Sequence, residues 1–206
     1  MTELSAVVAR AAPDAGGRIG GLREAHHAAL TPLVEEGAVR LAVPLLDEGG
    51  AYRGTLVLVA PEAAARYLDA EPFRAIWASH EVRPFRLAPM PWAPLPSGPT
   101  PAAPTHVVAF AADGTDGEAA ARRMAARPRH LARVGAAVAD GTLALGGAFL
   151  DAPGGGMTGS LAVTRHASVE AARAWWSEDP YVTEGVWREV EWHATRFAPL
   201  PYRPLA

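Results

Sequence analysis

The sequence of 206 residues contains no cysteine, lysine, asparagine or glutamine. Without cysteine it has no disulfide, no thiolate chemistry and no cysteine-ligated metal site. Without lysine it cannot form a Schiff base with a carbonyl substrate. Without side-chain amides it cannot build an oxyanion hole from asparagine or glutamine. All the basic residues other than histidine are arginine, and we attribute this skew to the codon usage of a GC-rich bacterial genome.

The chain also lacks an excess of positive charge and any long apolar run. Its formal net charge of −3 disfavours nucleic acid as a partner, because nucleic-acid binders carry basic patches. No run approaches the roughly 20 apolar residues of a membrane span. The first residues, Met1-Thr2-Glu3-Leu4, lack the basic region and apolar core of a signal peptide. The expectation is a cytoplasmic globular protein that contacts neither nucleic acid nor membrane.

What the chain does contain is a repetition. Arg23 and His26 match Arg127 and His130 at a constant spacing of 104 residues. Further matches follow in the same order: Gly37 with Gly141, Asp47 with Asp151, Gly54 with Gly159, Trp77 with Trp187 and Arg86 with Arg196. The spacing grows only where loops are predicted. We therefore divide the chain into a first half (residues 1–92), a proline-rich spacer of extended conformation (residues 93–104) and a second half (residues 105–206).

Each half predicts the same order of elements, β-α-β-β-α-β, which is the ferredoxin-like motif. In the second half the predicted elements are strand His106–Phe110, helix Asp116–Ala139, strands Thr142–Leu150 and Ser160–Thr164, helix Ser168–Trp176 and strand Val186–Phe197. In the first half they are strand Ala6–Ala9, helix Ile19–Glu36, strands Val39–Leu45 and Thr55–Val59, helix Pro61–Leu68 and strand Glu81–Leu87.

A ferredoxin-like unit has helices on one face of its sheet, so the other face needs a cover. A second copy of the same sheet supplies one. The predicted fold class is therefore α+β, with two repeats packed sheet to sheet as an intramolecular α+β barrel, a pseudo-dimer within one chain. Such a chain would exist as a monomer or as a homodimer.

Nearly the whole chain resembles two tandem copies of the YCII-related (YciI-like) family of the dimeric α+β barrel superfamily, and the second half matches the pattern better. The resemblance is carried by Arg127-x-x-His130-Leu131, Gly141, Gly146-Gly147, Asp151, Gly159-Ser160 and Asp179-Pro180-Tyr181. It implies the barrel fold and a catalytic histidine paired with an aspartate. It also implies that relatives act on small cyclic or chlorinated acids, by dehydrochlorination or lactone isomerisation.

The first half departs from this pattern. Ala42-Val43 replaces the glycine pair, and Glu71-Pro72-Phe73 replaces Asp179-Pro180-Tyr181. His26 and Arg23 are retained, so His26, Glu71 and Arg23 form a candidate second site. The departures predict that at most one of the two sites works.

The chemistry expected of the second half centres on His130, whose side chain titrates near neutrality and suits acid–base work. Asp179 would orient it, and Arg127, one helical turn earlier, would bind a substrate carboxylate. Ser160 and Tyr181 are further candidate substrate-binding residues. The predicted function is proton abstraction from a small carboxylate or lactone, of the lyase or isomerase type, with neither cofactor nor metal.

A second interpretation stays open from the residues alone. His130 and Asp179 would then fasten a helix to a loop, in a non-catalytic ligand-binding or structural barrel. The aromatic residues near them have the same two interpretations, as the wall of an apolar pocket or as plain core: Trp175, Trp176, Tyr181 and Trp187. A pair that opens into a cavity beside Arg127 favours the enzyme, and a sealed pair favours the fastening.

Overall fold

A computed structural model describes residues 2–205. The first half contains β1 (Glu3–Ala11), α1 (Ala15–Glu35), β2 (Val39–Leu46), β3 (Tyr52–Val59), α2 (Ala64–Ala70) and β4 (Trp77–Leu87), with 3₁₀ helices at Pro61–Ala63 and Pro72–Ile76. The second half contains β5 (His106–Asp113), α3 (Ala119–Ala139), β6 (Leu143–Leu150), β7 (Met157–Thr164), α4 (Val169–Trp176), α5 (Pro180–Thr183) and β8 (Trp187–Thr195). None of the helices in residues 2–205 combines the length and apolar character of a membrane span.

The strands form one closed antiparallel barrel in the order β1-β3-β2-β8-β5-β7-β6-β4. Each half contributes four adjacent strands, and the halves join where β2 meets β8 and where β4 meets β6. Closure gives every strand a neighbour on both sides, although β2 and β8 pair only at Leu46 and Ala194. The α+β barrel predicted from the repetition is confirmed, and the two sheets complete each other through their edge strands.

The interior of the barrel is apolar and receives side chains from both halves. One contiguous cluster includes Leu4, Val8, Leu41, Leu45, Leu58, Phe85, Val108, Phe110, Leu145, Phe149, Leu161 and Val163. The long helices lie outside: α1 buries Leu30, Leu33 and Val34, and α3 buries Ala126, Val134 and Val138. Each helix thus covers the outer face of its own four strands, and the gap between helix and sheet is where a cavity forms.

Local signals fixed several element ends. Gly141 follows α3 with φ of +76°, a left-handed conformation that glycine adopts without strain, as predicted for a helix terminus. The Ser168 hydroxyl accepts a hydrogen bond from Ala171 N and caps α4. Six of the eight strands extend further than predicted, whereas β6 and β8 are shorter by one and three residues. β4 begins at Trp77 rather than Glu81, because its first residues pair with β1 although they are exposed and lack the apolar alternation of a strand.

The spacer, residues 93–104, contains neither helix nor strand, as its prolines predict. Leu95 is buried in the cluster inside the barrel. Arg196 donates hydrogen bonds to the carbonyl oxygens of Pro101 and Ala102. The segment therefore packs against the barrel in addition to connecting the halves.

His106, at the start of β5, is predicted to make the stability of the fold depend on pH. Burial lowers its pKa to about 4, with smaller contributions from Arg165 and His166. An unfolded chain binds a proton at this residue near pH 6.5. Between pH 6.5 and 4 the unfolded state therefore binds more protons, and the free energy of unfolding decreases as the pH falls. We expect a loss of about 2 kcal/mol from pH 7 to pH 5 at this residue.

Urea denaturation of wild type and His106→Gln at the two pH values measures this effect. The variant should show the smaller loss of stability on acidification. Equal losses in the two proteins would contradict the assignment to His106.

Candidate active site

His130 and Asp179 are in direct contact. His130 lies on α3, and Asp179 precedes α5, where its carboxylate accepts a hydrogen bond from Tyr181 N at 2.8 Å. The same carboxylate oxygen, Oδ1, lies 2.8 Å from His130 Nδ1. Because an ionised carboxylate only accepts, Nδ1 is the donor, and the lone pair of the neutral ring resides on Nε2. The turn required by Asp179-Pro180 thus also fixes the tautomer of the histidine.

The ring of His130 is held from a second direction by Tyr181. The two rings stack with centroids 3.7 Å apart and an angle of 8° between their planes. Asp179 is fully buried and the His130 side chain is 13% exposed. Among residues 2–205, Nε2 of His130 has no hydrogen-bond partner. The imidazole is therefore oriented at one nitrogen and unoccupied at the other.

His130 faces a cavity of about 260 Å³ between α3 and strands β6 and β7. All the site residues predicted for the second half except the buried Asp179 line it, namely Arg127, His130, Ser160 and Tyr181. Part of its wall comes from the other half of the chain, through residues 86–90 and Trp92. The cavity is consequently complete only when both halves are assembled in the barrel.

Within residues 2–205, Arg127 supplies an unpaired positive charge to this cavity. It is half-buried, and it makes no hydrogen bond or ion pair within the described part of the chain. Its guanidinium is available for an anion. The next arginine on the helix face, Arg123, is committed elsewhere.

Arg123 was not predicted as a site residue, although it lines the cavity and is 4% exposed. Its Nη1 contacts both carboxylate oxygens of Asp113, at 2.7 and 2.9 Å, and its Nη2 donates to Ser160 Oγ at 3.1 Å. Burial raises the pKa of Asp113, and Arg123 opposes that shift. No motif in the sequence indicates this pair, since Asp113 ends a strand and Arg123 lies in an arginine-rich helix.

Ser160 connects this ion pair to the aromatic wall. Its hydroxyl oxygen accepts from Arg123 and also from Trp187 Nε1, at 3.1 Å. Because the Ser160 oxygen already accepts two hydrogen bonds, its own hydroxyl proton remains available for donation to a ligand. Burial raises the pKa of Tyr181, against the opposing effects of Arg123 and Arg127, so its hydroxyl stays protonated at neutral pH.

Three of the four aromatic residues singled out from the sequence line the cavity: Trp176, Tyr181 and Trp187. All three are also buried, so the wall of the cavity and the core are the same residues. Trp176 Nε1 is buried without a hydrogen-bond partner in residues 2–205. Trp175 lies outside the cavity wall, where the Arg133 guanidinium stacks on its ring at 4.6 Å.

The candidate second site reproduces the pair in the first half. His26 Nδ1 lies 2.8 Å from Glu71 Oε1, which also accepts from Phe73 N at 2.8 Å. The rings of His26 and Phe73 stack at 3.9 Å. This histidine and Arg23 line a separate cavity of about 790 Å³. The sequence departures in the first half therefore leave the geometry of the pair unchanged.

The other histidines form no comparable arrangement. His193 contacts Glu191 and Arg10, and His106 contacts Thr105. No group of three or more histidine and carboxylate side chains in residues 2–205 is placed to hold a metal ion.

Comparison with solved structures identifies proteins of the same fold. A candidate monooxygenase of Lactobacillus acidophilus NCFM superposes with a TM-score of 0.57 over 97% of this chain and 98% of that one, at 12% identity. A second candidate monooxygenase, from Fusobacterium nucleatum, gives a TM-score of 0.58 over 95% and 91%, at 9% identity. At such low identities the likeness concerns the fold alone. It extends over both halves of the chain.

Comparison of sequences identifies the second half. Residues 106–194 match the YCII-related domain. Protein YciI of Escherichia coli O6:H1 is 36% identical to this chain over 88 residues, which are 40% of this chain and 88% of that protein. Protein YciI of Shigella flexneri matches to the same extent. Since the matched segment includes β5 to β8 and both members of the His130–Asp179 pair, the chain belongs to the YCII-related family.

Proposed function

We propose that the protein is an acid–base enzyme that removes a proton next to the carbonyl group of a small carboxylate or lactone, with His130 as the base. One observation carries the proposal. His130 lines a cavity, and within residues 2–205 its Nε2 has no hydrogen-bond partner, while its Nδ1 is bound to a buried carboxylate. A histidine used only to fasten a helix needs no open face.

The pair sets the properties of the base. Asp179 holds the tautomer in which Nε2 accepts a proton, and its charge stabilises the imidazolium that forms. Asp179 is available for this because its contacts are short and it is shielded from water. Oriented bases of this kind contribute about 10²- to 10⁴-fold to a rate.

Arg127 binds the substrate carboxylate in this proposal. It stands one helical turn before His130, on the same face of α3. Unlike Arg123, it has no carboxylate partner in residues 2–205, so a substrate anion is not in competition with a protein anion. The guanidinium offers two parallel donors to a carboxylate.

The chemical step transfers the proton from carbon to Nε2, and the electron pair of the broken C–H bond moves onto the adjacent carbonyl as an enolate. The hydroxyl groups of Ser160 and Tyr181, which both line the cavity, donate hydrogen bonds to that oxygen in this proposal. Expulsion of a leaving group, such as chloride or a lactone carboxylate, gives a lyase. Return of the proton to another carbon gives an isomerase.

Proton exchange in D₂O tests the proposal without knowledge of the natural substrate. The protein is incubated with a panel of small cyclic carboxylates and lactones, some chlorinated, and the C–H signal next to the carbonyl is followed by ¹H NMR. Wild type should exchange that proton in at least one compound. Arg127→Ala should slow the exchange of carboxylates about 10- to 100-fold, the value of a lost charge-assisted hydrogen bond.

Arg129→Ala is the matched control. Arg129 lies on the same helix but is exposed, bonds to Glu184 and does not line the cavity. Its removal should leave exchange unchanged. Equal rates in the Arg127 and Arg129 variants would contradict the anchoring role. Saturable binding of a carboxylate with no exchange in any compound would favour the alternative, a ligand-binding protein.

A further inference from the structure

The first half contains the larger of the two cavities. It lies between α1 and strands β2 and β3, and its volume is about 790 Å³ against about 260 Å³ beside His130. Small-molecule sites commonly measure about 300–1,000 Å³. Residues 196, 198 and 200, which follow β8, complete its wall, just as residues 86–90 complete the other cavity.

The replacement of one ion pair accounts for part of the difference in volume between the two cavities. Ile19 precedes Arg23 and His26 by the same distances as Arg123 precedes Arg127 and His130. Ala11 pairs with Trp77 as Asp113 pairs with Trp187. The buried ion pair of the second half is thus replaced by two smaller, apolar side chains. This wall of the first-half cavity is wider and more apolar.

The hydroxyl at the Ser160 position also has a new partner. Thr55 replaces Ser160, and its Oγ1 lies 2.7 Å from the Tyr52 hydroxyl, which accepts from Trp77 Nε1 at 3.0 Å. Tyr52 therefore takes over the role of Arg123 without adding a charge. The Thr55 hydroxyl therefore has its hydrogen-bond partner at this end of the first-half cavity without an arginine.

The basic side chains that line this cavity are arginines and histidines. They are Arg23, His26, His27, Arg53 and Arg196, and no carboxylate joins them among its lining residues. Arg53 is neutralised by Asp47 at 2.7 Å, and Arg196 donates only to backbone carbonyls. Arg23 has no partner in residues 2–205. Burial, then His26 and Arg23, lowers the pKa of His27, so this ring is neutral at pH 7. The positive excess of the cavity comes from Arg23 and Arg196.

We propose that the first-half cavity is a second binding site, with Arg23 as its anchor, for anions with a larger apolar body than the second-half cavity holds, of two or three fused rings. The charge selects an anion and the volume admits the rings. The apolar wall that would contact them includes Ile19, Val43, Leu46, Phe73 and Leu200. Two different sites then replace the single working site expected from the sequence.

Isothermal titration calorimetry with 2-anthracenecarboxylate tests the proposal. Wild type should show one saturable site. Arg23→Ala should weaken binding at least tenfold, because a charge-assisted guanidinium–carboxylate pair is lost. Arg23 is exposed, so its truncation leaves the core intact. Arg127→Ala, the counterpart in the second half, should bind the probe as wild type does.

Arg18→Ala controls for the loss of a positive charge. Arg18 lies on the same helix, bonds to Asp14 and does not line the cavity. Three outcomes would overturn the proposal: equal affinities of the Arg23 and Arg18 variants, weaker binding in the Arg127 variant alone, or no saturable binding of the probe. The titration involves no turnover, and its result is independent of proton exchange at His130.

Discussion

Replacing His130 with glutamine is expected to lower the rate of proton exchange by about 10²- to 10⁴-fold while changing the melting temperature little. The glutamine amide retains an N–H donor for the buried carboxylate of Asp179, so that carboxylate is not left without a partner. Glutamine has no basic nitrogen, and the proton acceptor is lost. The rates come from ¹H NMR in D₂O, and the melting temperatures come from calorimetry of the same samples.

This substitution separates the two interpretations of the pair. If the pair only fastens α3 to α5, the variant should retain whatever exchange wild type shows, because glutamine still offers Asp179 an N–H donor. That result would refute the catalytic role. His26→Gln is the matched control, because His26 makes the same contact with Glu71 in the other cavity. It should leave the exchange of small carboxylates unaffected.

Replacing Gly147 with alanine is expected to destabilise the protein by about 3 kcal/mol or more, since overpacking of this kind is among the costly core changes. A Cβ atom at this position would lie 2.3 Å from Arg86 O and 2.4 Å from the Phe85 ring. The backbone of β4 cannot move away freely, because Leu87 pairs with Gly147 where the two halves join. Urea denaturation followed by tryptophan fluorescence measures the loss.

Gly146→Ala is the control for this substitution. The nearest atom to a Cβ at Gly146 is Leu161 O at 3.6 Å, an ordinary contact. We expect a change within about 1 kcal/mol, the range in which strand propensities differ. Equal losses in the two variants would show that β4 and β6 do not approach as closely as described.

Gly147 therefore has a structural explanation, which the residue at the equivalent position of the first half supports. Val43 occupies the position equivalent to Gly147, and it is buried in the barrel core. The corresponding contact between β2 and β8 is a single pair, Leu46 with Ala194. β4 and β6 pair at three positions. The two junctions of the barrel are unequal, and only the closer one requires glycine.

The sequence by itself determined the order of the main strands and helices and the carboxylate partners of His26 and His130. Apolar periodicity, Gly141 and Ser168 are local signals, and they act over a few residues in any context. The repetition added the long-range part, because two sheets of the same kind need a common interior. His130 and Asp179 were predicted as a pair from the family pattern, and their contact follows from the turn that Asp179-Pro180 forms.

Only the tertiary structure decided what surrounds those histidines. Arg123 and Asp113 are distant from any motif, and their ion pair exists because α3 lies across the end of β5. The two cavities differ because Ile19 and Ala11 occupy the positions equivalent to Arg123 and Asp113. Each cavity is also closed by the C-terminal segment of the opposite half. Volume and charge in a cavity depend on side chains from several elements at once. No single stretch of sequence contains that information.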